Sequence, residues 1–120
     1  MLKTIAGLPD GVVGVEATGQ VTAEDYEGVL VPAVERALEH RAKVRLLYQF
    51  GREATGFTAG AFWDDAKIGL QHWRGFEKCA VVTDVKWIGD SVRLFRVLLP
   101  CPVKVFRNDE LAEAKTWLIA

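Results

Sequence analysis

The sequence predicts a single α/β domain over residues 1–120, with a mostly parallel sheet and the element order ββαβαβαβα. Three observations predict it. Short β-branched and aromatic runs alternate with longer stretches whose apolar residues recur at helical spacing. Residues 44–50 form an almost unbroken apolar and aromatic run, as a central strand covered on both faces requires. The turn signal Pro9-Asp10-Gly11 separates the first two strand candidates closely enough for an antiparallel hairpin. Right-handed crossovers then give about five strands, with the N-terminal hairpin and four helices.

The elements follow in chain order. Residues 3–8 are the first strand, and Val12, Val13, Val15, Ala17 and Val21 make the second. Thr22 opens the first helix: its hydroxyl accepts from a free backbone N–H, and Glu24 and Asp25 suit the positive end of the helix dipole. Tyr26, Leu30, Ala33, Val34, Ala37 and Leu38 form the buried stripe of that helix. Pro32 lies inside it and predicts a kink, since it removes a hydrogen bond and crowds the carbonyl of Gly28, a residue with no side chain. Residues 51–56 read as a loop. A second helix covers residues 59–75, with Phe62, Ala66, Gly69, Trp73 and Phe76 on one inward face. Residues 79–83 are a strand, Asp84 caps a third helix to about residue 99, and Pro100 and Pro102 stop it. Residues 103–106 are the last strand. Asn108 caps a final helix that buries Leu111, Ala114, Trp117 and Leu118.

Composition narrows the function classes. Half of the 120 residues are hydrophobic and 26% are charged, a globular balance with enough apolar material for a core. A net charge of -1 provides no global field for nucleic acid or anionic lipid, so no nucleic-acid partner is expected. Two cysteines, Cys79 and Cys101, are too few for a disulfide framework. Cys79 reads as a small buried hydrophobe in a reducing compartment. With no signal-like or membrane-spanning run, a cytoplasmic protein is expected, with peripheral contact to the inner membrane face left open.

The third helix carries more apolar residues than one buried stripe needs. Ile88, Val92, Phe95 and Leu99 share one face, while Trp87, Leu94, Val97 and Leu98 are surplus, interrupted by Arg93 and Arg96. That surplus suits a dimer partner, the lip of a lipid pocket or a membrane interface with arginine anchors. A broad core helix with snorkelling arginine stems would account for it as well. Tyr48, Phe57, Phe62 and Trp63 could line an apolar cavity beside the 51–57 loop, or simply fill the rim of the core. Asp64 and Asp65 point about 100° apart on a helix and do not converge on one atom. With His40 and His72 on different helices, no metal-ligand cluster forms. No phosphate loop, nucleophile elbow or Cys/His pair is present, so neither catalysis nor a cofactor is expected.

Several segments together resemble the SpoIIAA-like branch of the STAS superfamily. They are Gly7-Leu8-Pro9-Asp10, Ala17-Thr18-Gly19-Gln20-Val21-Thr22-Ala23-Glu24-Asp25-Tyr26, Val31-Pro32-Ala33, residues 56–67 (GFTAGAFWDDAK) and Val82-Thr83-Asp84. The resemblance spans essentially the whole chain and implies a non-catalytic binding or regulatory domain. In STAS domains of the anti-sigma-factor-antagonist type, a Ser or Thr at the start of the second helix is phosphorylated to switch a partner. Thr58 holds the corresponding position, with Phe57 where the better-studied antagonists have Asp. An ordinary N-cap is the competing role for Thr58. SpoIIAA-like proteins are also similar to CRAL-TRIO lipid carriers, which implies an apolar ligand or a membrane surface. The expected function is therefore binding of an apolar ligand, a membrane surface or a protein partner, a second copy included. The surface is the third helix and adjacent loop, through Tyr48, Phe57, Phe62, Trp63, Trp87, Leu94 and Leu98. The alternative is a phosphorylation-switched regulator using Thr58.

Overall fold

The structure, a computed structural model, describes residues 1–9, 11–40, 42–57, 75–86, 89, 90, 93 and 101–120, the side chains of Tyr26 and of residues 52–57 excepted. Five strands form one sheet in sequential order: β1 (Leu2–Thr4), β2 (Val12–Val21), β3 (Val44–Phe57), β4 (Phe76–Val82) and β5 (Val103–Phe106). β1 pairs antiparallel with β2, Leu2 opposite Ala17 and Thr4 opposite Val15; all other pairs are parallel. The predicted hairpin is therefore present, but its first strand is Leu2–Thr4 rather than residues 3–8.

The rest of the predicted first strand folds back over the sheet. Ile5 N donates to Gly14 O at 2.9 Å and Val12 N to Pro9 O at 3.1 Å. Ile5 and Leu8 thereby pack on the sheet instead of extending it. Gly14 permits this approach: a Cβ there would fall inside contact distance of Leu8 Cδ1 and stand 3.2 Å from Ile5 Cβ.

The first helical rod has three parts: α1 (Ala23–Asp25), a π-helical stretch (Tyr26–Leu30) and α2 (Val31–Leu38). Its start is a reciprocal box. Thr22 N donates to Asp25 Oδ2 at 2.8 Å, and Asp25 N donates to Thr22 Oγ1 at 3.4 Å. Pro32 sits in the first turn of α2, directly after the π stretch. The place where a kink was expected is thus a change from π to α geometry, with the proline's missing N–H in the first turn of α2. Gly28 plays no steric part, because a Cβ there would meet open space. Leu30 and Val34 are fully buried beneath this rod, as their spacing predicts.

β3 overturns the predicted 51–56 loop. The strand runs to Phe57, and its second half pairs with the end of β2, Gly19 opposite Ala54, Gln20 opposite Gly56 and Val21 opposite Phe57. Ala17 faces Phe50 but Gly19 faces Ala54, so β3 carries extra residues at a bulge. Gly19 takes φ +61° at the same place. Glycines at 51 and 56 thus mark a bulged strand, not its end.

Strand alternation divides the core into two layers. On one face Val13, Val15, Leu46, Tyr48, Phe50, Val81 and Val103 pack with Leu30 and Val34. On the other, Leu47, Ala80, Val82 and Phe106 pack with Ala114 and Leu118 of the C-terminal helix, α3 (Leu111–Ile119). A mostly parallel sheet covered on both faces is the architecture that the apolar run in β3 predicts.

Among the described residues the order is β1, β2, the first rod, β3, β4, β5 and α3, so two helices stand where four were expected. All of the predicted second helix, 59–75, but Gly75, and most of the predicted third, 84–99, lie outside the described residues. Within the third, Lys86, Gly89, Asp90 and Arg93 are helical. Phe76, expected on the second helix, is instead the first residue of β4. Cys79 is only partly buried.

Candidate functional site

Parallel strands end together, and the carboxyl edge of such a sheet is where loops converge and α/β domains commonly bind. In this chain that edge gathers the ends of β4 and β5 and the middle of β3 around one side chain, Asn108. Its Nδ2 donates to Phe50 O and to Asp84 Oδ2, each at 3.1 Å, and its Oδ1 accepts from Gln49 Nε2 at 3.4 Å. Its backbone N donates to Asp84 Oδ1 at 3.0 Å. Asp84 therefore grips both donors of Asn108.

Asn108 was expected to cap the final helix; it braces the edge instead. The helix entry is held one residue earlier, where Arg107 N donates to Glu110 Oε1 at 2.9 Å. Arg107 also pairs with Asp109 at 3.1 Å, and these contacts hold its already basic guanidinium further above its usual pKa. Next to Asp84, Thr83 is the buried polar residue among those described. Its N donates to Phe106 O at 2.8 Å and its Oγ1 accepts from Val85 N at 3.0 Å, a turn that leads the chain off β4.

Beyond that turn the chain is helical at Lys86, Gly89, Asp90 and Arg93. Gly89 is buried: a Cβ there would lie 3.5 Å from both Arg93 Nη1 and Val105 Cγ1 and 3.9 Å from Thr83 Cγ2. Lys86, Asp90 and Arg93 are exposed, and Arg93 pairs with Asp90 at 3.4 Å. The described part of the third helix thus sets Gly89 toward β5 and leaves Lys86, Asp90 and Arg93 exposed, with the Arg93 guanidinium reaching back toward Gly89.

Of the proposed binding residues, Tyr48 is described. It is buried in β3 and stacks on Phe50, with ring centroids 4.6 Å apart and planes 16° from parallel. It belongs to the core on the face under the first rod. Phe57 ends β3 opposite Val21, its side chain outside the described residues. Thr58, Phe62, Trp63, Trp87, Leu94 and Leu98 also lie outside them, as do Asp64, Asp65 and His72. His40 is exposed in the turn after α2. Among the described residues no three His, Cys, Asp or Glu side chains gather as a metal site, and no helix is long and apolar enough to cross a membrane. Burial raises the pKa of the Cys101 thiol, which disfavours the reactive thiolate.

Sequence reasoning missed two features. The Asn108–Asp84 brace was signalled only by Asp and Asn standing at the ends of successive parallel strands. The second lies at the opposite, amino edge. There Arg45 donates to Leu118 O, and Lys78 Nζ donates to Trp117 O and Ala120 O, each at 3.0 Å, so strand cations satisfy the terminal carbonyls of α3. No helix-internal signal could have shown this.

These elements define a five-stranded, mostly parallel α/β domain with helices on both faces. The chain belongs to the SpoIIAA-like family, which matches residues 12–119. It is similar in structure to an uncharacterised protein of the DUF3478 family with a SpoIIAA-like fold from Shewanella loihica PV-4. That similarity has a TM-score of 0.75 at 27% identity and covers 98% of this chain and 92% of the other. No curated protein matches the chain.

Proposed function

We propose that this chain is a non-catalytic binding domain that engages an apolar ligand, a membrane surface or a protein partner through its third helix and the neighbouring loop. Membership of the SpoIIAA-like family supports the broad class, since STAS-type domains generally bind and regulate rather than catalyse. The observation that carries the location is the charged outer face at Lys86, Asp90 and Arg93. Leu94 and Val97 stand four and seven residues after Asp90 in sequence, the helical spacing that continues that outer face. Leucine and valine at that spacing, with Arg93 and Arg96 among them in sequence, have the composition that suits a contact surface. In this reading Phe57, Phe62, Trp63, Trp87, Leu94 and Leu98 contribute to the contact. Tyr48, the other residue of the expected surface, is buried in β3.

Flotation with neutral and anionic vesicles, run beside analytical ultracentrifugation, tests the proposal. Wild-type protein is expected to float or to self-associate, and Leu94→Glu and Leu98→Glu to abolish that behaviour while remaining folded. Wild-type protein that neither floats nor associates, and variants that behave identically, would remove the support.

A second reading rests on Thr58, which follows Phe57, the last residue of β3, in sequence. A phosphoryl group there would add about two negative charges beside the end of the parallel sheet. Intact-mass analysis of protein from its native host checks it: an 80-dalton addition lost in Thr58→Ala supports a switch, and unmodified protein under all growth conditions refutes it.

A further inference from the structure

At the amino edge of the sheet, away from the Asn108 brace, an open cleft of about 220 Å³ separates the fold-back loop before β2 from the end of α3. Leu8, Pro9 and Val12 line one wall, and Leu118 and Ile119 the other. Lys115 stands in the lining as its one charged residue. Both walls are pinned. The loop is held by Ile5 N to Gly14 O at 2.9 Å and Val12 N to Pro9 O at 3.1 Å. The end of α3 is held by Arg45 on Leu118 O and by Lys78 on Trp117 O. Both walls are thus tied to the sheet, and Ile119 is 56% exposed beside the cleft, one of two large hydrophobic residues so exposed among those described.

Lys115 is exposed, and among the described residues its ammonium has no hydrogen-bond or ion-pair partner. An apolar slot with one unspent cation in its lining is complementary to a short acyl chain that ends in a carboxylate. At about 30 Å³ for each water-sized group, a cleft of 220 Å³ takes roughly seven heavy atoms, the tail carbons of an eight-carbon acid whose carboxylate stays at the rim. We infer that this cleft binds a medium-chain fatty carboxylate, its tail between Leu8, Val12 and Ile119 and its head on Lys115. The inference is independent of the third-helix surface, so either can fail alone.

Titration of isotope-labelled protein with sodium octanoate, 1-octanol and acetate, followed by amide and methyl NMR, tests it. Octanoate is expected to shift Leu8, Val12, Leu118 and Ile119 saturably, with half-saturation in the millimolar range set by so few atoms. Acetate should leave these signals in place. Lys115→Gln should weaken octanoate about threefold, the strength of an exposed ion pair, and leave octanol unchanged. Ile119→Ser, at an exposed position that tolerates change, should weaken both. Shifts that never saturate, or that map elsewhere, would overturn the site. Octanoate binding indifferent to Lys115→Gln would overturn the carboxylate assignment.

Discussion

Asp84 and Asn108 clasp each other across the carboxyl edge of the sheet, the aspartate accepting both the backbone and the side-chain N–H of the asparagine at 3.0 and 3.1 Å. Through Phe50 O and Gln49 the same asparagine reaches β3, so one side chain ties together three segments far apart in sequence.

Removing that brace should cost more than any single hydrogen bond. Asn108→Ala removes the side-chain hydrogen bonds to Asp84 Oδ2, Phe50 O and Gln49 Nε2 at once and keeps only the backbone one to Asp84 Oδ1, for a loss of about 2–3 kcal/mol. Asn108→Asp should be worse, because it places a carboxylate against Asp84 and removes the donors. Urea denaturation of both variants checks the order; equal stability to wild type would show that the brace is dispensable.

The capping box at Thr22 and Asp25 gives a pH prediction. Burial of Asp25 alone would raise its pKa, but the Thr22 N–H and hydroxyl and the chain's terminal ammonium, 3.3 Å away, outweigh it and hold the carboxyl below its usual value. A lowered folded-state pKa contributes stability that is complete above the unfolded value and is lost as pH falls through the folded one. Thermal melts between pH 7 and 2 should therefore show wild type losing its advantage over Asp25→Asn on acidification. A constant gap between the two would contradict this. Thr22→Ala should cost about 1 kcal/mol at neutral pH.

Gly14 makes a packing prediction. A methyl at this position collides with Leu8 and crowds Ile5, so Gly14→Ala should destabilise by about 1–3 kcal/mol. Leu8→Ala alone should also destabilise, yet the double variant should recover part of the loss, because the two changes share one space. Strict additivity in denaturant titrations would show that Leu8 does not cover Gly14.

At the amino edge, Lys78 lies 5.1 Å over the Trp117 ring while donating to the last turn of α3. Lys78→Met keeps most of the stem and removes the charge, so it should cost about 1 kcal/mol and raise amide exchange in residues 114–120 first. Uniform exchange across the chain would contradict a local role.

The parts of this fold that could be read in the sequence were those set by local chemistry. β5 occupies residues 103–106 as predicted because two prolines isolate a short β-branched run. Thr22 starts the first rod because cap and acidic residues stand together. Residues 51–56 misled because glycine and charge depress strand propensity, while the end of β2, far away in sequence, provides their pairing. Asn108 misled for a related reason: a cap signal is local, but its partners Asp84 and Phe50 are brought in by the sheet. Of the residues expected at the candidate site, all but Tyr48 and the backbone of Phe57 lie outside the described residues. Tyr48 reads in the sequence as cavity lining or core rim, and in the structure it is buried and stacks on Phe50.

The central claim is that the third helix presents an apolar surface built for a partner. Native mass spectrometry of protein taken gently from its own host tests it most directly. The account predicts a species heavier than the bare chain, whether lipid-loaded, dimeric or partner-bound, that is lost in Leu94→Glu and Leu98→Glu. A wild-type spectrum containing only the bare monomer, unchanged in either variant, would contradict it.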